Sequence, residues 1–138
     1  MRRLLFFCGA LAGSLALAGC AIPPETIKVK PLPADGSGLA WGDMVQRSRA
    51  LAMSATEAFY RDEWTAVVAA AEGLEQSALF LPKSTDIPAP RRASVEAQTQ
   101  ALQSESQALQ KAAKAKDVEK TNEALQRIHL RVRSLGVE

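Results

Sequence analysis

Residues 118–135, VEKTNEALQRIHLRVRSL, decide the fold class of this chain. Positions separated alternately by four and three residues run through this segment and one residue beyond it. They are Val118, Asn122, Leu125, His129, Val132 and Gly136. This spacing places the positions on one side of an α-helix, as in the helices of a bundle. The segment therefore predicts an amphipathic helix that turns His129, the only histidine of the chain, toward a bundle interior.

Three further helices are predicted before this segment. Ala, Gln, Glu, Leu and Arg dominate residues 41–117, and no run alternates with a period of two. Asp62 and Asp117 suit the N-caps of the second and fourth helices, and Pro82, Pro88 and Pro90 exclude a helix between the second and the third. The predicted bounds are about 41–60, 62–81, 90–115 and 117–135.

The lengths of the links predict how these helices are arranged. Short links join the first helix to the second and the third to the fourth, so each pair is expected to be antiparallel. The chain is therefore predicted to be all-α, an up-down-up-down four-helix bundle over residues 41–138. The third helix has a thin apolar face, which fits either close packing over small residues or an exposed, partner-facing helix. Its small residues are Ala101, Ala108 and Ala112.

The N-terminus resembles the signal peptide of a bacterial lipoprotein. Arg2 and Arg3 precede an apolar run at 4–16, which is too short to span a bilayer as a helix. The run ends in Leu-Ala-Gly-Cys at 17–20, which resembles a lipobox. This resemblance implies that residues 1–19 are removed and that Cys20 is lipidated, which would anchor the chain to a membrane.

Residues 20–40 are predicted to be a tether between the lipid and the domain. Proline and glycine are frequent there and few apolar residues are available for burial. Ala21 after the cysteine favours the outer membrane, because an Asp at that position tends to retain enteric-type lipoproteins at the inner membrane. The expected location is therefore the cell envelope, facing the periplasm.

The composition argues against nucleic-acid binding and against catalysis. The chain has 17 basic and 15 acidic residues, and removal of Arg2 and Arg3 with the signal leaves 15 of each. A neutral chain without a clustered basic face is not typical of a nucleic-acid partner. The sequence also lacks a recognisable nucleophile with a base, a phosphate-binding loop and a zinc or di-iron ligand pattern. We therefore expect no enzymatic activity.

His129 nevertheless suggests a haem site. In the predicted bundle, the start of the first helix and the end of the fourth lie at the same end, and the heights of Met44 and His129 differ by about 3 Å. Methionine sulfur and imidazole nitrogen are an established axial pair for haem iron. Met53, more than two turns away, is the weaker candidate. Near the same end, Trp41, Phe80 and Ile87 would form either a haem pocket or an apolar plug.

The last helix resembles the haem-binding helix of the cytochrome c′ and cytochrome b562 superfamily. Leu125 and Ile128 stand where cytochrome c′ has its two haem-linking cysteines, His129 stands at the histidine, and Arg133 stands at the following arginine. Cytochrome b562 also lacks the cysteines and uses an early methionine of its first helix. The resemblance implies a noncovalent haem b, with Met44 and His129 on the iron, for electron transfer or gas sensing.

Two functions therefore remain open at this point. The first is a membrane-anchored, cytochrome-like lipoprotein with a redox partner. The second is a haem-free bundle that serves as an interaction or envelope-structural lipoprotein, with an envelope protein as its partner. A dimer is compatible with both.

Overall fold

The computed structural model describes residue 32 and residues 38–136. The predictions of a signal peptide, of lipidation at Cys20 and of most of the tether fall outside these residues. None of the described helices is long and apolar enough to cross a membrane.

Four α-helices and no strand make up the described part of the chain, which confirms the predicted all-α four-helix bundle. The helices are α1 (Trp41–Tyr60), α2 (Trp64–Phe80), α3 (Val95–Lys114) and α4 (Val118–Leu135). Two short 3₁₀ turns, Leu81–Lys83 and Ala89–Arg91, lie between α2 and α3. Helix α2 packs against α1 and α3, while α4 packs extensively against α3 and less extensively against α1.

The two short links are built in the same way. Asp62 and Lys116 each adopt a left-handed conformation, with φ of 58° and 53°. Behind them, Glu63 N–H donates to Ala58 O at 2.9 Å and Asp117 N–H donates to Ala112 O at 3.0 Å. These are Schellman motifs, which satisfy the last carbonyl groups of α1 and α3 and reverse the chain.

Asp117 is the N-cap of α4, as predicted, and its carboxylate accepts from Lys120 N–H at 3.0 Å. The same prediction for Asp62 is wrong. Its left-handed backbone belongs to the end of α1, and Glu63 occupies the cap position of α2 without a side-chain bond. Pro90 is not in the first turn of α3 either, because it lies in the 3₁₀ turn and α3 begins at Val95.

The core is a mixture of a few large apolar side chains and many small ones. The largest fully buried apolar side chains are Met44, Leu74, Leu81, Leu102, Leu109, Ile128 and Leu135. Alanines fill the positions between them, and Ala52, Ala55 and Ala71 have no exposed surface. Small side chains let helix backbones approach closely. Since α3 lies between α2 and α4, its thin apolar face reflects close packing, although Ala108 itself is exposed.

The buried side of α4 differs from the predicted one. The residues it buries are Thr121, Ala124, Leu125, Ile128, Val132 and Leu135. Val118, Asn122 and His129 are exposed, so the prediction that His129 faces the interior is wrong. Leu125 and Val132 belong to both possible seams, that is, to both sets of α4 positions that could face the core. The seam that also contains Ile128 and Leu135 buries more apolar surface than one containing His129 and Gly136, and it is therefore favoured.

Candidate functional site

His129 lies at the surface between α4 and α1, where its ring bonds to a threonine. His129 Nε2 is 2.9 Å from Thr56 Oγ1, and Thr56 Oγ1 is 3.0 Å from Ala52 O. A threonine hydroxyl has one proton, and here the proton is donated to the Ala52 carbonyl. Thr56 therefore accepts from His129 Nε2–H.

Met44 is distant from this imidazole. Its side chain is 1% exposed and packs in the core. Met44 precedes Thr56, the hydrogen-bond partner of His129, by twelve residues, which is about 18 Å along α1. Two axial ligands must flank one iron atom, so Met44 and His129 do not form the predicted haem site.

The axial offset between α1 and α4 explains this result. Arg49 Nη2 donates to Gly136 O at 3.2 Å, so the end of α4 lies level with the third turn of α1. His129 comes seven residues before Gly136 and accordingly lies level with Thr56, seven residues after Arg49. The sequence alone predicts instead that the end of α4 lies level with the start of α1.

An open groove follows the surface between α1 and α4. This α1–α4 groove has a volume of about 630 Å³. Arg49 and Met53 line it from α1, and His129, Leu130 and Arg133 line it from α4. Met53 and Leu130 are 53% and 64% exposed, and together they give the groove an apolar area. The structure thus brings Met53, rather than Met44, into one site with His129.

A second hollow of about 590 Å³ lies beyond the end of α4. Its walls include Trp41 and Val45 of α1, Pro88 and Arg91 of the proline-rich segment, and Leu135. Arg49 lines both this end hollow and the α1–α4 groove. Of the apolar residues considered for a haem pocket, Trp41 is buried in the core. Phe80 and Ile87 pack against the core as an apolar plug.

The walls of both hollows are cationic. No carboxylate lines either of them among residues 38–136. Arg49 and Arg133 form no ion pair within that range. Two guanidinium groups that line the α1–α4 groove without a carboxylate form a surface suited to an anionic or acidic group.

Two carboxylates on the helices, Glu75 and Glu105, are engaged by neighbouring side chains. Glu75 accepts from Gln107 and Gln110, each at 2.7 Å, and these bonds hold the pKa of Glu75 below its ordinary value. Glu105 pairs with Arg127 at 2.7 Å, which raises the pKa of the guanidinium. Within the described part of the chain, no three His, Cys, Asp or Glu side chains are grouped to hold a metal ion.

Sequence reasoning missed Thr56, Arg49 and the role of Met53. Thr56 gives no sequence signal, because a single threonine in a helix usually bonds only to its own backbone. Comparison with known proteins found no matching family model, no matching curated protein and no matching solved structure. The resemblance to the cytochromes therefore stays a prediction.

Proposed function

We propose that this protein is a lipid-anchored, non-enzymatic four-helix bundle of the bacterial cell envelope that binds a partner protein through its α1–α4 groove. The observation that carries the proposal is the placement of His129, which is exposed and bonded to Thr56 instead of facing Met44. The axis of the bundle is filled by side chains such as Leu102, Leu109 and Ile128. This packing supports a fold that is stable without a prosthetic group.

The groove has the composition of a recognition surface. Met53 and Leu130 provide apolar area, while Arg49 and Arg133 place positive charge beside it. Exposed apolar side chains beside arginine are typical of protein interfaces. We therefore expect a partner segment that combines apolar and acidic side chains.

In-cell photo-crosslinking tests this role directly. A photoreactive amino acid is placed at Leu130 in the groove or at Val118, which is 59% exposed and lies at the other end of α4. We expect a defined crosslinked species from position 130 and none from position 118. A species twice the mass of the chain would identify a second copy as the partner. Equal crosslinking from both positions, or none from position 130, would contradict the proposal.

The anchor is tested separately. We expect radiolabelled palmitate to be incorporated into the wild-type chain and not into Cys20→Ser. Fractionation of the labelled protein then distinguishes the outer membrane, which we favour, from the inner membrane. Incorporation that persists in Cys20→Ser would contradict lipidation at this position.

A noncovalent haem b remains a second candidate, at the α1–α4 groove alone. The observation that favours it is that His129 and Met53 line this groove together with Arg49 and Arg133. Imidazole and thioether are iron ligands, and arginines bind carboxylates such as the haem propionates. A bound haem would supply one-electron chemistry.

One titration separates the two candidates. For the haem-free bundle, we expect cooperative unfolding of the purified protein, no Soret shift on adding haemin at micromolar concentration, and no change in Tm. For the second candidate, we expect the wild type to shift the Soret band of added haemin, His129→Ala and Met53→Ala to lose this shift, and Met44→Leu to retain it. Haemin binding that depends on Met44 would contradict the separation of Met44 from His129 in the structure.

A further inference from the structure

Two exposed side chains of opposite charge stand beside the apolar part of the α1–α4 groove. Glu57 of α1 follows Met53 by four residues, and Arg133 of α4 follows Leu130 by three, so each lies one helical turn from an apolar residue of the groove. Neither Glu57 nor Arg133 forms an ion pair within residues 38–136. Each helix therefore presents one apolar and one charged side chain, and the two charges differ in sign.

The contact between Thr56 and His129 fixes the order of these side chains along the groove. The two helices run in opposite directions, so residues before Thr56 lie level with residues after His129. Met53 and Leu130 therefore lie at nearly the same level, which is the middle of the groove. Along the helix axes, the charged neighbours of these two residues lie about 3–5 Å from the middle and on opposite sides of it.

We propose that the partner of the α1–α4 groove is a second copy of this chain, packed groove against groove about a two-fold axis. Rotation about an axis through the middle of the groove places Met53 of one copy on Leu130 of the other and Glu57 on Arg133, and each contact occurs twice. This charge complementarity of the surface with itself favours a second copy. The inference rests on the proposed function and deepens it by identifying the partner.

The arginine at the other side of the groove fits the same arrangement. Arg49 donates to Gly136 O through Nη2, and a guanidinium group has five N–H donors, so it can serve a second acceptor. The two-fold rotation brings Arg49 opposite Gln126, which also lines the groove and has an amide oxygen. The rotation therefore does not set the arginines of the groove against each other, which like-charge repulsion would disfavour.

The predicted tether permits this arrangement when both copies are anchored in one membrane. The rotation points the start of α1 in opposite directions in the two copies. Helix α1 has 20 residues and is about 30 Å long. The twelve residues 20–31, which precede Leu32 on the surface of the core, reach about 40 Å when extended. Both anchors can therefore reach the same bilayer, and the shared membrane raises the effective concentration of the two copies.

Sedimentation equilibrium of the mature chain carrying Cys20→Ser tests the inference without the lipid anchor. We expect the apparent mass to rise from that of the monomer toward twice this value as the protein concentration increases. Glu57→Arg and Arg133→Glu are each expected to weaken dimerisation at least about 100-fold, because two like-charge contacts replace the two ion pairs.

A mixture of the two variants gives the sharpest result. In a mixed pair, both charged contacts again join an arginine to a glutamate, so we expect the equimolar mixture to dimerise like the parent while each variant alone stays monomeric. The double variant Glu57→Arg with Arg133→Glu restores the same contacts and is expected to dimerise as well. The control Lys111→Glu makes the same change of charge as Arg133→Glu on exposed α3 surface and is expected to dimerise like the parent. Circular dichroism and Tm confirm that every variant folds.

Three results would overturn the inference. They are a monomeric parent at every concentration, dimerisation that persists unchanged in both single variants, and a mixture of the variants that stays monomeric. In-cell crosslinking from position 130 decides separately whether the groove binds a partner. A defined crosslink to a different protein, together with a monomeric purified chain, would exclude the second copy and leave the proposed function standing. The two failures are therefore distinguishable.

Discussion

The imidazole of His129 lies one position away from the buried seam of α4, and this difference changes its chemistry. A histidine at position 128 would be enclosed by the core and would require a buried partner. At position 129 the ring reaches across to α1 and donates to Thr56 at 2.9 Å. His129 therefore links two helices that pack less extensively than the other neighbouring pairs.

A double-mutant cycle measures this link. For His129→Ala and Thr56→Val, we expect a coupling free energy of about 0.5 kcal/mol in urea unfolding, the low end for a hydrogen bond because the ring is exposed. The control pairs His129→Ala with a change at Thr65, an exposed residue of α2, and is expected to show no coupling. Additive effects of the first pair would show that the bond does not contribute to stability.

At the scale of the element, the two Schellman motifs place non-glycine residues in a left-handed conformation. For an L-residue this conformation costs about 1–2 kcal/mol more than it does for glycine. Part of this difference is offset, because glycine is more flexible in the unfolded chain and loses more entropy on folding. Both links therefore contain a local cost that the packing of the flanking helices offsets.

Replacing one of these residues with glycine should stabilise the bundle. We expect Lys116→Gly to increase the free energy of unfolding by about 1 kcal/mol, as measured by urea denaturation. Lys114→Gly, two residues earlier and within α3, should instead decrease it by about 0.5–1 kcal/mol. A loss of stability in Lys116→Gly would contradict the left-handed backbone at this position.

The N-cap of α4 predicts that the stability of the protein depends on pH. Hydrogen bonds from the Lys120 ammonium and the Lys120 N–H lower the pKa of Asp117 below its ordinary value of 3.8. A carboxylate with a lowered pKa adds stability above its unfolded pKa, and this stability is lost as the pH falls through the folded value. Asp117→Asn keeps an oxygen that can cap the helix but loses the charge.

We therefore expect Asp117→Asn to be less stable than wild type at neutral pH, with a difference that shrinks below about pH 4. Thermal unfolding of both proteins across this range measures the change. Glu119→Gln in the same first turn serves as the control for general loss of negative charge near the helix start. A difference that stays constant with pH would contradict the role of the charge.

For the whole molecule, stability depends on one core that all four helices share. Leu109 of α3 has no exposed surface, whereas Leu130 of α4 is 64% exposed. We expect Leu109→Ala to lower the free energy of unfolding by 2–5 kcal/mol and Leu130→Ala to change it by less than about 0.5 kcal/mol. Equal effects in urea denaturation would contradict the position of α4 in the bundle.

Much of the fold could be predicted because it depends on local patterns. The bounds of α1 and α4, the cap at Asp117 and the break over the proline-rich segment each follow from a few neighbouring residues. The starts of α2 and α3 could not be placed correctly. Asp62 and Pro90 suit both a helix start and a turn, and the surrounding backbone decides between them.

The candidate site was predicted less well because it depends on two choices that tertiary packing makes. Leu125 and Val132 lie on both possible seams of α4, and only packing against α1 and α3 selects the seam that buries Ile128 and Leu135. The axial level of α4 relative to α1 also cannot be read from the sequence of either helix. That level separates Met44 from His129 and brings Met53 into the groove.

The sequence by itself determined that this chain forms four helices in a bundle, since hydrophobic period, caps and breakers act over a few residues. The tertiary structure decided which side of α4 is buried, the axial offset between α1 and α4, and which residues share the α1–α4 groove. The physical reason is that side-chain packing between helices sets their rotation and translation, and these depend on residues far apart in the chain.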